Sequence, residues 1–150
     1  MIRTDSANPD FLRLVALLDE ELSRRDGDVH PFYSQFNTLD TIRNVVVAYI
    51  GDEAVGCGAF RDHTNGIAEI KRMFVRTPHR GQGIAGRILG ELEIWALDQH
   101  FHSCVLETGF NQPEAISLYH KSGYYRIENY GPYVGVPTSL CLKKELPSPL

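Results

Sequence analysis

The sequence has few of the features that mark membrane, exported or metal-dependent proteins. No apolar run reaches the roughly 18 residues that a membrane-spanning helix needs. The amino terminus lacks the basic-then-apolar pattern of an export signal. There is no His-Glu-x-x-His motif, and no pair of cysteines has the spacing of zinc ligands. We therefore expect a cytoplasmic protein with no membrane segment and no metal site.

Cysteine and positive charge are also sparse. The three cysteines, Cys57, Cys104 and Cys141, lie in apolar, strand-like runs, which favours reduced thiols in a protein core over disulfides. The 150 residues carry a net charge of −4, and no run of lysine or arginine stands out. Nucleic-acid-binding proteins usually present a basic face, so we expect no nucleic acid among the partners.

The first half of the chain alternates between strand and helix patterns. A short strand at Ile2–Asp5 precedes a helix that begins at Pro9, because Asn-Pro is a helix-start signal and apolar residues then recur at helical spacing. Residues 31–42 favour a second, weaker helix. Three strands with the spacing of an antiparallel meander follow, at Val45–Ile50, Ala54–Arg61 and Ile67–Val75.

The second half contains two further helices and three strands. The first helix runs from Gly83 to about His100, and the second begins at Pro113 and ends at Gly123, the usual glycine position after a helix. The strands are predicted at Ser103–Thr108, Tyr124–Ile127 and Leu140–Leu142. No repeat or linker interrupts this order, so we expect one α+β domain over residues 1–150.

Residues 80–86 read Arg-Gly-Gln-Gly-Ile-Ala-Gly and are the most informative segment of the chain. They follow the strand that ends at Val75 and open the helix that starts at Gly83. Glycines at a helix start leave backbone N–H groups unpaired and let a ligand approach closely, and the helix dipole adds positive potential. Together these features favour a bound phosphate, and hence a phosphate-bearing cofactor.

Two other interpretations of the glycines remain open. Gly81, Gly83 and Gly86 match the dinucleotide fingerprint of an NAD-dependent oxidoreductase, and Glu107 lies where its ribose-binding acid would be. Against this, Arg76–Arg80 separate the glycines from the strand, and the hairpins of the first half are not repeated βαβ units. The glycines could also form a simple tight turn, although three of them in six residues after an arginine disfavour that.

At two places the sequence resembles the GNAT superfamily of acyl-CoA-dependent N-acyltransferases. Residues 80–85 match its Arg/Gln-x-x-Gly-x-Gly/Ala signature. Residues 114–124, Glu-Ala-Ile-Ser-Leu-Tyr-His-Lys-Ser-Gly-Tyr, resemble its Ala-Ile-x-Leu-Tyr-x-x-x-Gly-Phe block. The resemblance covers about residues 44–145 and is closest to small bacterial members. It implies a mixed, mostly antiparallel sheet of six or seven strands with about four helices and a splay between the fourth and fifth strands.

The resemblance implies acetyl-CoA as the cosubstrate. The amides of the glycine segment would hold its pyrophosphate, and its pantetheine arm would pair like an extra strand with the strand before that segment. An amide near Met73 or Phe74 would donate to the thioester carbonyl oxygen. Gln112 stands where relatives often have asparagine, so it or Asn111 either caps the next helix or touches the arm. The implied cofactor-binding residues are Met73, Phe74, Val75, Arg80, Gly81, Gln82, Gly83, Ile84, Ala85, Gly86, Asn111, Gln112 and Tyr119.

Attack on a thioester needs a neutral amine, and the resemblance offers two acids as the catalytic base. Glu69 lies where histone-type relatives carry their base, and Glu107 lies where ribosomal-protein N-terminal acetyltransferases carry theirs. A water relay in which neither acid is the base stays a third option. Tyr119 matches the family tyrosine that protonates the leaving thiolate, and the plain alternative is a core aromatic.

We therefore predict an N-acetyltransferase that passes acetyl from acetyl-CoA directly to a primary amine, with no covalent enzyme intermediate. A non-catalytic acyl-CoA-binding module on the same fold is the alternative. The acceptor, a small-molecule or peptide amine, is expected to contact residues 20–43 and the aromatic, glycine-rich residues 128–137. Homodimers are common in the family, but no residue pattern in this chain specifies one.

Overall fold

Seven strands form one mixed sheet in the computed structural model, which describes residues 1–26 and 42–147. In chain order they are β1 (Ile2–Thr4), β2 (Asn44–Ile50), β3 (Glu53–Thr64), β4 (Ile67–Val75), β5 (Ser103–Gly109), β6 (Tyr125–Ile127) and β7 (Ser139–Glu145). The described residues also form three α-helices, which are α1 (Pro9–Asp26), α2 (Ile84–Asp98) and α3 (Pro113–Lys121). Short 3-10 turns lie at Thr77–His79 and Gly131–Tyr133.

The strands follow the order β1-β2-β3-β4-β5-β7-β6 across the sheet. All neighbours are antiparallel except β4 and β5, which run parallel. Parallel neighbours need a long crossover, and here α2 supplies it by returning the chain along one face of the sheet. The parallel pair therefore joins two antiparallel halves in the interior of the sheet.

Alternating side chains of the central strands build a core on each face of the sheet. Val45 and Val47 of β2 belong to the core beneath α1, whereas Val46 between them belongs to the core beneath α2 and α3. The helices complete the two cores with apolar side chains that are almost fully buried: Phe11, Leu14 and Val15 from α1, and Ile88, Leu89 and Leu92 from α2.

The start of α1 confirms the helix signal that the sequence carries there. The side-chain oxygen of Asn8 accepts hydrogen bonds from the amides of Asp10 and Phe11, at 2.9 and 3.0 Å. Such a cap satisfies amides that have no partner within the helix. Because Phe11 is the first buried residue of α1, the cap also fixes which helix face meets the sheet.

The predicted order of elements is confirmed, and the differences lie at their ends. Strand β3 extends to Thr64 rather than Arg61, and β7 spans Ser139–Glu145 rather than Leu140–Leu142, because polar residues continue the ladder beyond the apolar run. The weak helix predicted at residues 31–42 lies almost entirely outside the described residues. None of the helices in the described part of the chain has the length and apolar character of a membrane span.

Candidate functional site

The parallel strands β4 and β5 part after only three residue pairs. Ile67, Ala68 and Glu69 lie opposite Ser103, Cys104 and Val105, and no register pair follows in the described residues. On its other side β5 stays paired with β7 along its whole length. The remaining residues of β4 therefore separate from β5, and a cleft of about 880 Å³ opens between them. The splay predicted between the fourth and fifth strands is confirmed.

A β-bulge lies in β4 at the middle of this cleft. Cys57 pairs with Phe74 and Ala59 pairs with Lys71, so two residues of β4, Arg72 and Met73, oppose Gly58 alone. Arg72 has a backbone φ of +61°, an unusual value for a residue with a side chain.

Because Gly58 has no side chain, the side chains around the bulge can pack closely against it. A Cβ at Gly58 would lie 2.5 Å from Sδ of Met73 and 2.9 Å from both Ile88 and Leu92, so a larger residue would force these side chains to move. The bulge was not predicted from the sequence. Its one signal there was a glycine inside a strand, which often marks a bulge or a close approach of chains.

The glycine segment forms the end of the cleft next to α2. Gly81 and Gly83 have φ values of +79° and +78°, which favour glycine, and Gly83 is the residue before the helix. Within the described part of the chain, no backbone amide from Gly81 to Gly86 donates to a protein acceptor, and no side chain caps the helix. The end of the cleft thus carries a row of N–H donors at a helix amino terminus, which suits a phosphate group.

Arg80, predicted to bind the cofactor, lies in the cleft wall and is held there by two hydrogen bonds. Its Nε donates a 2.7 Å hydrogen bond to the carbonyl oxygen of Val75, and its Nη2 donates to Glu21 at 2.8 Å. Its guanidinium also lies 5.5 Å from the ring centroid of Phe74. Arg80 therefore ties the glycine segment to the end of β4 and to α1, rather than projecting into solvent.

Glu69 is buried at the last position where β4 pairs with β5, and its carboxylate accepts hydrogen bonds from two donors. Its Oε1 accepts a 2.8 Å hydrogen bond from Nε of Arg61, and its Oε2 accepts a 2.7 Å hydrogen bond from the hydroxyl of Tyr130. The ammonium of Lys71 lies 3.9 Å from Oε1. Only 3% of Glu69 is exposed, although the residue contributes to the cleft wall.

Glu107 and Tyr119 line the same cleft from β5 and α3. Glu107 is half-buried, whereas Tyr119 is 6% exposed and packs edge-on against Tyr124 with ring centroids 5.8 Å apart. Burial, and secondarily the negative charge of Glu107, raise the pKa of the Tyr119 phenol above its usual value. The phenol therefore stays protonated and can act as a hydrogen-bond donor. His120, the next residue, is exposed and does not line the cleft.

Most residues predicted to bind the cofactor line the cleft, but two do not. Gln82 and Asn111 are both exposed and lie outside its wall. Gln112 lines the cleft as a buried residue, yet its side chain does not cap α3. The other predicted residues lie in the wall: Met73, Phe74, Val75, Arg80, Gly81, Gly83, Ile84, Ala85, Gly86 and Tyr119.

The aromatic connection between β6 and β7 folds over the cleft near β4. The side-chain amide of Asn129 donates to the carbonyl oxygens of Tyr133, Val136 and Ser139 at 3.0 to 3.2 Å and so organises the connection. Tyr133 is buried and lines the cleft. Of the predicted acceptor-contacting residues 20–43, positions 27–41 lie outside the described residues.

A model of the acetyltransferase (GNAT) family matches residues 11–124. The chain is similar to the IAA acetyltransferase of Azospirillum brasilense, with 38% identity over 138 residues that cover 88% of this chain and 90% of the relative. It is also similar to the uncharacterized N-acetyltransferase YsnE of Bacillus subtilis strain 168, with 31% identity over 66% of this chain and 67% of the relative.

Solved structures share the same arrangement of elements. A Klebsiella pneumoniae protein described as an acyl-CoA N-acyltransferase has a TM-score of 0.80 and 30% identity, and the match covers 97% of each chain. A Bacillus anthracis protein described as a streptothricin acetyltransferase, solved with acetyl coenzyme A, has a TM-score of 0.61 at 18% identity. That match covers 74% of this chain and 66% of the other, and it supports the fold alone.

Proposed function

Because the chain belongs to the acetyltransferase (GNAT) family, we propose that it moves an acetyl group from acetyl-CoA directly to a primary amine. The observation that carries the proposal is the opening between β4 and β5, which ends at the start of α2 in a row of amides that have no acceptor among the described residues. A cleft with one unpaired strand edge and one anion-binding end suits a ligand with a peptide-like arm and a pyrophosphate.

The exposed edge of β4 would bind the pantetheine arm in the way that a missing strand would. In the described part of the chain, residues 73–75 have no partner strand on the β5 side, so their backbone groups need an acceptor or donor from a ligand or water. One amide at Met73 or Phe74 would donate to the thioester oxygen, where negative charge develops during attack. The acetyl group supplied by the thioester would then lie between this edge, Tyr119 and Glu107.

Direct transfer is supported by the state of the cysteines. Cys57, Cys104 and Cys141 are all buried, and none of them lines the cleft. Burial raises the pKa of Cys57 and of Cys104 to about 12, and that of Cys141 to about 11. These thiols stay protonated at neutral pH, whereas a nucleophilic cysteine acts as the thiolate.

We assign the base role to Glu107 rather than Glu69. Both oxygens of Glu69 already accept short hydrogen bonds, one from Nε of Arg61 and one from the hydroxyl of Tyr130. An amine would have to displace one of these donors to reach the carboxylate. Glu107 is more exposed to the cleft and lies close enough to Tyr119 to affect the pKa of that phenol. An amine bound between them could give its proton to Glu107 directly or through one water.

Tyr119 would donate to the sulfur of the leaving thiolate. A thiol has a pKa near 8.5, and the phenol has a raised pKa, so full proton transfer from Tyr119 would be uphill. A hydrogen bond from the phenol to the developing thiolate needs no proton transfer. Such a bond is shorter and stronger because the sulfur that accepts it is charged.

The test combines cofactor binding with turnover. Calorimetry with acetyl-CoA, CoA and NAD should give binding for the first two only. Thiol release should then be measured against a panel of primary amines, to which IAA is added because of the Azospirillum relative's name. The non-catalytic binding module would be favoured by two results together. Acetyl-CoA would bind without thiol release for any amine, and Tyr119→Phe would change neither result. Binding of NAD in place of acetyl-CoA would reject the proposal.

A further inference from the structure

Arg72 is a buried cation whose hydrogen-bonding capacity is largely unused. Its side chain is 2% exposed, and the residue forms part of the cleft wall. Its Nε and Nη2 atoms are buried and have no hydrogen-bond partner in the described residues. Nη1 lies 3.6 Å from Oδ1 of Asp19, a long contact with a half-exposed carboxylate. Leaving a buried guanidinium so poorly paired costs free energy, which a bound anion would recover.

The two unused nitrogens define the shape of the anion that fits. Nε and Nη2 lie on the same edge of the planar guanidinium, so their N–H groups point in parallel. A carboxylate presents two oxygens at matching separation and accepts both bonds at once. A neutral carbonyl or hydroxyl would use one donor and leave the charge unmatched.

The position of Arg72 separates this anion from the phosphates of acetyl-CoA. The anion-binding amides lie at Gly81–Gly86, whereas Arg72 lies at the bulge in mid-β4, before the edge that would hold the uncharged pantetheine arm. The Arg72 side chain also lies toward α1, where it approaches Asp19, on the opposite face of the sheet from α2. Tyr133, from the connection between β6 and β7, also lines the cleft.

We propose that Arg72 binds a carboxylate of the acceptor, so that the acceptor is an amino acid or a related compound with both an amine and a carboxylate. This inference rests on the proposed acetyltransferase function, since it names the acceptor of that reaction. The amine end would face Glu107 and the acidic end would face Arg72. The bulge supports the assignment because its positive φ at Arg72 is a strained conformation, of the kind that persists at binding sites.

The first test uses acceptor pairs that differ by one carboxylate, such as phenylalanine with phenethylamine and lysine with cadaverine. Wild-type protein should favour the carboxylate-bearing member by about tenfold or more in kcat/KM. Arg72→Gln should remove that preference through a rise in KM of roughly tenfold to a hundredfold, and Arg72→Lys should restore only part of it. Arg126→Gln, which removes an exposed arginine outside the cleft wall, should leave the preference unchanged.

Two further measurements keep the test decisive. Arg72→Gln should unfold at the same temperature as wild type or a higher one, because a poorly paired buried charge is removed; a purely structural arginine predicts a clear loss. The affinity of Arg72→Gln for CoA should match wild type. Weaker CoA binding would assign the anion to the cofactor and overturn the inference, as would an unchanged acceptor preference.

Binding without turnover separates failure of this inference from failure of the proposed function. The Nε–H resonance of Arg72, identified by its loss in Arg72→Gln, should shift with N-acetylphenylalanine and not with N-acetylphenethylamine. If amines are acetylated but the resonance ignores the carboxylate, the function stands and the inference is wrong. If the resonance responds but no amine is acetylated, the carboxylate site stands and the acetyltransferase proposal fails.

Discussion

The hydroxyl of Tyr130 donates a 2.7 Å hydrogen bond to Oε2 of Glu69, 61 residues earlier in the chain. This bond joins the connection between β6 and β7 to the last position where β4 and β5 remain paired. It also satisfies one oxygen of a buried carboxylate, while Arg61 satisfies the other. The cleft wall near Tyr133 therefore depends on a contact between two distant segments.

The first prediction concerns Tyr130→Phe, which removes only that hydroxyl. The buried oxygen of Glu69 loses its donor, so the free energy of unfolding should fall by about 1–3 kcal/mol. KM for the acceptor should rise because the connection is less firmly held, while CoA affinity stays the same. Denaturant unfolding measures the change in stability, steady-state kinetics the change in KM, and calorimetry the CoA affinity.

Tyr125→Phe is the matched control for Tyr130→Phe. The hydroxyl of Tyr125 also donates a 2.7 Å hydrogen bond to a glutamate, Glu145, but on the exposed face of the sheet. Water can replace that donor, so stability and KM should hardly change. Equal losses of unfolding free energy for the two substitutions would mean that the burial of Glu69 does not increase the contribution of its hydrogen bond to stability.

The second prediction concerns Tyr119→Phe, which keeps the ring packing and removes the proposed donor to the leaving sulfur. Turnover should fall by about 100-fold, with CoA affinity unchanged within about twofold. Tyr124→Phe is the control, because its hydroxyl donates to Glu93 and Tyr124 does not line the cleft. Full turnover in Tyr119→Phe would remove Tyr119 from the mechanism.

The raised pKa of Tyr119 also predicts how kcat behaves on the alkaline side of the pH–rate profile. Burial raises the pKa of this phenol above its ordinary value of about 10, so the phenol keeps its proton throughout the range below that value. Wild-type kcat should therefore show no loss from Tyr119 ionisation up to about pH 10. A fall in kcat near neutral pH that disappears in Tyr119→Phe would contradict the assignment.

The third prediction separates the two acids. Glu107→Gln should lower kcat/KM by about 100-fold and abolish the acidic limb of the pH profile, with little loss of stability. Glu69→Gln should lower stability more than rate, because it removes the charge that pairs with Arg61 in a buried position. Its main effect should be on the free energy of unfolding. Comparable rate losses in both variants, with both acidic limbs intact, would favour a water relay instead.

Local patterns predicted the elements of this fold well, because each signal needs only neighbouring residues. Asn8 with the following proline marks the start of α1, and the β-branched, apolar run that begins at Val45 marks β2. The glycine segment was also predicted from local sequence, since Gly81 and Gly83 have positive φ values that glycine adopts at little cost. The paired motifs then predicted the splay through the family resemblance.

The features of the site that the sequence did not predict depend on contacts between distant segments. Arg72 looks like an ordinary strand residue until the register of β3 leaves Gly58 opposite two residues of β4. Likewise, the hydrogen bond between Arg80 and Glu21 of α1 joins residues 59 positions apart, so the neighbours of Arg80 in the chain do not predict it. Register and long-range pairing are set by the whole sheet, so no local pattern reports them.

The last prediction uses two glycines of similar conformation to separate backbone strain from ligand binding. Gly81 and Gly51 have φ values of +79° and +60°, and a Cβ at either would meet no atom within 4 Å. Alanine at either position should therefore cost about 1–2 kcal/mol of stability from strain alone. Only Gly81→Ala should also weaken CoA binding, by about tenfold in calorimetry, because only its Cβ would stand where the pyrophosphate approaches. Equal CoA affinity in both variants would place the phosphates elsewhere.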